Sequence, residues 1–81
     1  MKDIITVKYF GEIAEAINCN EEQISIKSDK LSVLIEQLNN KYNLERFPMI
    51  IAHNQNLIEL SNDITIKNND ELAILPPFAG G

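Results

Sequence analysis

"LSVLIEQLNNKY", Leu31 to Tyr42, decides the fold. Leu31, Leu34, Ile35, Leu38 and Tyr42 fall at i, i+3, i+4, i+7 and i+11, which draws one continuous apolar stripe down a helix. The other positions are polar, apart from Val33, so this helix needs a surface to cover. Either Asp29 or Ser32 suits its start, since both side chains can cap free backbone amides. Pro48 ends anything helical before "MIIAH" at Met49 to His53.

The flanking segments supply the surface. "IITVKYF" at Ile4 to Phe10 is rich in β-branched and aromatic residues, with Ile5, Val7 and Tyr9 alternating against Thr6 and Lys8. That is a strand with one buried face, broken at Gly11. "EIAEAI" from Glu12 to Ile17 gathers Ile13, Ala14 and Ile17 on one side of a short helix, closed by Asn18 and Asn20. "EQISIK" at Glu22 to Lys27 returns to period two with Ile24 and Ile26 inward. "MIIAH" reads as a third strand and Asn54-Gln55-Asn56 as a turn. "LIEL" at Leu57 to Leu60 is a short fourth strand, and Asn68-Asn69-Asp70 a second turn before "ELAIL" at Glu71 to Leu75. Pro76 cannot donate to a ladder, so the sheet ends there. The reading is an α+β roll: a mixed sheet of about five strands, one main helix on one face, and a short extra helix.

With 81 residues the chain has room for one core. The expected division is a domain over 1–75 and an extended tail over 76–81. Twelve Asp and Glu against seven Lys and Arg give a formal charge of −5, and the cations are dispersed singly. No basic stripe is present to hold phosphate backbones, which argues against nucleic-acid binding. The single cysteine, Cys19, leaves no internal disulfide, and no apolar run is long enough to span a bilayer. A cytoplasmic protein with no membrane association is the expectation.

No glycine-rich phosphate loop, Cys-x-x-Cys pair or histidine pair at metal-ligand spacing occurs, so no metal is expected. His53 reads as a surface or hairpin residue rather than a base. Cys19, between two asparagines, reads as an incidental thiol rather than a sulfur relay. The unusual feature is the ending "LPPFAGG" at Leu75 to Gly81: two stiff prolines, one aromatic, and two residues with no side chain. Glycine packs nothing and loses most backbone entropy on ordering, so a core has no use for it there. Phe78 lies beyond the sheet's expected end and reads as an interface residue.

"DELAILPPFAGG" at Asp70 to Gly81, "IAHNQNLI" at Ile51 to Ile58 and "YFGEIAEAI" at Tyr9 to Ile17 carry a resemblance. With this element order, the chain resembles the ubiquitin-like β-grasp sulfur carriers, and within them the small subunits of molybdopterin synthase. The resemblance implies that Gly81 is the reacting residue, its carboxyl adenylated and then converted to a thiocarboxylate, with Gly80 a slender neighbour. It implies that Pro76, Pro77, Phe78 and Ala79 engage partners. Those partners are the synthase large subunit, in a heterotetramer, a ubiquitin-activating-type adenylyltransferase and a sulfur-donating enzyme. It implies no permanently bound cofactor, with ATP used by the activating partner. The carrier would supply sulfur to a cyclic pyranopterin, in molybdenum cofactor biosynthesis. A carrier for thiazole synthesis or tRNA thiolation uses the same terminal chemistry, although thiazole carriers are commonly shorter and lack the Pro-Pro-Phe approach; it stands as the alternative, with a ubiquitin-like modifier or binding module.

Overall fold

The computed structural model describes residues 3–58 and 64–77. Five strands, β1 (Ile4–Tyr9), β2 (Glu21–Ser25), β3 (Ile50–His53), β4 (Asn56–Ile58) and β5 (Glu71–Leu75), form one sheet in the order β2-β1-β5-β3-β4. β1 and β5 run parallel, with Tyr9 opposite Ile74, and every other pair is antiparallel. The mixed sheet and its element order match the sequence reading.

Alternation decides which face is covered. Ile5, Val7 and Tyr9 on β1, Ile24 on β2, and Leu72 and Ile74 on β5 all point to one side and are buried. Helix α2 (Leu31–Tyr42) covers that side with Leu31, Leu34, Ile35 and Leu38, so the stripe seen in the sequence is the core seam. Each such side chain contributes about 1.5–3 kcal/mol on leaving water. Tyr42, at the far end of the stripe, is only partly buried. Helix α1 (Gly11–Ile17) adds Ile13 and Ala14, and a short 3-10 turn at Leu44–Arg46, which periodicity does not show, adds Leu44.

The start of α2 departs from expectation. Neither Asp29 nor Ser32 occupies the cap; that residue is Lys30, in an extended conformation and without a side-chain cap bond. Tertiary pairing sets the boundary instead. Lys30 forms an isolated bridge with Thr65, and the Leu31 amide donates to the Ile64 carbonyl at 2.9 Å. The helix ends at Asn43 and α1 at Asn18, both left-handed at φ 58° and 56°, a conformation asparagine tolerates. β4 covers Asn56–Ile58, so it begins one residue earlier than expected, at Asn56, which the sequence reading gave to the turn; Glu59 and Leu60 of the expected strand lie outside the described residues.

Candidate functional site

β5 lies at the middle of the sheet, hydrogen-bonded to β1 on one side and β3 on the other. It stops at Leu75, where Pro76 removes the next donor. The exit is fixed from the β1 side. The Phe10 amide donates to the Ile74 carbonyl at 3.1 Å, and Gly11 follows with φ +60° at the start of α1. A Cβ on Gly11 would stand 2.8 Å from Pro76 Cγ, so the missing side chain is what lets the proline ring sit there. Pro76 is thus half-buried against Gly11, and Pro77 is exposed. Phe78, Ala79, Gly80 and Gly81 lie outside the described residues.

Around this exit the sheet face opposite α2 is partly exposed among the described residues. Continuing the alternation, Phe10, Leu75 and Ile50 belong to that face, as do Ala73, Ala52 and Leu57 along the cross-strand register. Phe10 is 42% exposed and Leu57 73%. Charge borders the row, with Lys8 Nζ 3.1 Å from Glu71 Oε1. Sequence reading took Phe10 as the end of a strand and Leu57 as a strand residue, and missed that they share a surface. The signal was present in the period-two alternation, but placing β5 between β1 and β3 requires the topology.

Two polar clusters brace the scaffold. Glu22 Oε2 accepts from the Tyr9 hydroxyl at 2.7 Å and the Tyr42 hydroxyl at 2.6 Å, and Oε1 accepts from Lys41 Nζ at 2.8 Å. Burial pushes the Glu22 carboxyl up, but hydrogen bonds from Lys41, Tyr42 and Tyr9 outweigh it and hold it below the usual range. Burial, then the bond to Glu22, pushes the Tyr9 hydroxyl far above its ordinary value. At the other end His53 Nε2 lies 2.7 Å from Asp70 Oδ2, Asn54 Nδ2 donates to Asp70 Oδ1 at 3.2 Å, and the Lys67 amide donates to Oδ2 at 2.8 Å. Burial raises the Asp70 carboxyl, and these three bonds lower it further than burial lifts it. His53 therefore ties the β3–β4 hairpin to the turn before β5. Cys19 Sγ is 3.6 Å from the Glu21 carbonyl oxygen.

The described residues form a brace, with an open apolar face beside a fixed chain exit. No helix among them is long and apolar enough to cross a membrane.

A mixed sheet wrapped on one long helix, with its last strand central, is the ubiquitin-like β-grasp architecture. Residues 7–81 match the model of the ThiS family, and the chain belongs to that family. It is 36% identical over 81 residues to the molybdopterin synthase sulfur carrier subunit of Drosophila yakuba, covering 95% of this chain and 90% of that one. A chain in the complex of subunits 1 and 2 of the molybdopterin-converting factor from Helicobacter pylori is similar at 32% identity. Its TM-score is 0.69, with 96% of this chain and 99% of that chain covered. The small archaeal modifier protein 1 of Methanosarcina acetivorans is similar at 25% identity and TM-score 0.78, covering 100% and 99%.

Proposed function

We propose that this chain is the sulfur-carrier subunit of a molybdopterin synthase, with the Gly81 carboxyl as the reacting group. The observation that carries the reading is the chain exit: β5 is gripped on both sides, Pro76 seats on Gly11, and Gly80 and Gly81 follow four and five residues after Pro76. Four residues beyond Pro77 span at most about 13–14 Å, a short probe on a rigid base. Glycines without Cβ atoms pass through a passage that other residues would block.

A terminal carboxylate, with a pKa near about 3.3–3.7, is ionised at neutral pH and resists nucleophiles. Activation therefore comes first. A carboxylate oxygen of Gly81 attacks the α-phosphorus of ATP on an adenylyltransferase partner, and pyrophosphate leaves. Hydrosulfide released by the donating enzyme then adds to the acyl carbon and AMP departs, leaving a thiocarboxylate. On the large subunit that sulfur is passed to a cyclic pyranopterin, and water releases the carboxylate. This chain contributes position; acid-base groups come from the partners. The face bearing Phe10, Leu57 and Leu75, with Leu75 three residues ahead of Phe78, is the surface that meets the large subunit.

Intact-protein mass spectrometry after incubation with the activating enzyme, ATP and a sulfur source tests the proposal. The expected product carries one oxygen replaced by sulfur, on Gly81; an unchanged mass overturns the reading. The similarity to the archaeal modifier supports a second reading, attachment through the same carboxyl to lysines. Lysine conjugates that form without any binding to a synthase large subunit would favour it.

A further inference from the structure

The ladder leaves one sheet edge open in a patterned way. Among the described residues β2 is an edge strand, paired only with β1. The Tyr9 amide donates to the Asn20 carbonyl at 2.9 Å and the Ile26 amide to the Asp3 carbonyl at 3.0 Å. In an antiparallel pair such bonds recur at every second residue, so the backbone groups of 20, 22, 24 and 26 face β1. Those of Glu21, Gln23 and Ser25 face away from the sheet. Two side chains agree with that parity: Cys19 Sγ reaches the Glu21 carbonyl at 3.6 Å, and Gln37 Nε2 the Ser25 carbonyl at 3.5 Å. A carbonyl with two lone pairs can accept a further bond. The edge carries no proline or bulge of the kind that usually blunts one.

Charge says what pairs there. Glu21 begins the strand and Lys27 follows its end, and among the described residues neither side chain is in an ion pair. Lys8, opposite Glu21 on β1, is held by Glu71. Laid antiparallel against itself with Gln23 opposite Ser25, and with its extended course carried two residues past Ser25, the strand brings each Glu21 to the other copy's Lys27. Moving the register two residues either way loses both charge pairs. We propose that β2 joins β2 of a second copy of this chain across a two-fold axis, in the register that sets Gln23 against Ser25 and Glu21 against Lys27. The pair makes one continuous ten-stranded sheet, two copies of the five described here. So short a contact gives a transient dimer. Since β1 separates β2 from β5, the chain exit stays open.

Sedimentation of the full chain over a range of concentrations, with amide exchange read residue by residue, tests this. The wild type dimerises as concentration rises, and the Gln23 and Ser25 amides gain protection. Glu21→Lys and Lys27→Glu each place like charges opposite one another and associate about tenfold or more weakly. An equimolar mixture of the two restores the dimer, because every cross-pair is again lysine against glutamate. A wild type that stays monomeric, reversal variants that associate like wild type, a mixture that does not recover, or a dimer that leaves Gln23 and Ser25 unprotected each overturns the proposal.

Discussion

The hydroxyl of Tyr9 donates to Glu22 Oε2 at 2.7 Å, although Tyr9 is only 2% exposed. A tyrosine this deep needs an acceptor for its polar end, and Glu22 supplies it from the neighbouring strand while also receiving Tyr42 and Lys41 from the end of α2. One carboxylate therefore joins β1, β2 and α2.

Glu22→Ala leaves the buried Tyr9 hydroxyl without a partner and removes three bonds to a charged acceptor. It should destabilise the chain by about 2–3 kcal/mol, against about 1 kcal/mol for Tyr42→Phe and less for Lys41→Ala. Urea unfolding of the three variants gives the order, and equal losses in all three would show that Glu22 is not the hub.

Acid should act through two carboxyls. Glu22 and Asp70 are both held below their ordinary values, so each adds stability above its unfolded pKa, about 4.3 and 3.9, and loses it as pH falls through the folded one. The urea midpoint should begin to drop below about pH 5 and keep falling toward about pH 3. Glu22→Gln and Asp70→Asn should each flatten that limb. A wild-type midpoint unchanged over this range contradicts the assignment.

Gly11→Val puts a branched side chain at φ +60° and drives its Cβ toward Pro76 Cγ. The left-handed backbone alone costs about 1–2 kcal/mol for such a residue. Thermal unfolding should show at least that loss, and replacing Pro76 by alanine in the same chain should recover the part due to contact. No recovery would mean that backbone strain explains everything.

Deleting Gly81, or adding a residue after it, touches no described core contact and should cost under about 0.5 kcal/mol. Sulfur transfer should fail, because deletion shortens the reach by about 3.3–3.6 Å and extension moves the carboxyl to another residue. Misplacement by 1 Å can cost about 100-fold where atoms must meet in line. Both variants should still bind the large subunit, with Phe78→Ala the substitution that weakens binding. Calorimetric titration and product assays separate the two effects, and wild-type turnover by the deletion variant would sink the carrier reading.

The apolar periodicities carried most of the fold. Leu31 to Tyr42 and the Ile24–Ile26 alternation were legible because burial repeats every 3.6 or every two residues. The cap at Lys30 was not legible, since it depends on Thr65 and Ile64, far along the chain. Nor was Glu22, which looks like any strand acid until Tyr9 and Tyr42 converge on it. A tyrosine in the buried phase of a strand was the available clue. His53 looked like a hairpin side chain, and only the fold brings Asp70 to within 2.7 Å of it. For the tail, Gly80 and Gly81 were read from chemistry, while the seat of Pro76 on Gly11 joins positions 65 apart in number and has no local signature.

Among the described strands of the sheet, β1–β2 and β3–β4 are two hairpins that share no ladder with each other; β5, the last of them in chain order, is their only link. A growing chain can therefore form either hairpin early, but each keeps a raw inner edge until residues 71–75 arrive to zip both at once. Assembly is gated by the segment immediately ahead of Pro76. A molecule whose sheet is complete has, by the same event, set the base from which its final residues emerge, so a broken or halted chain lacking β5 has no correctly mounted end.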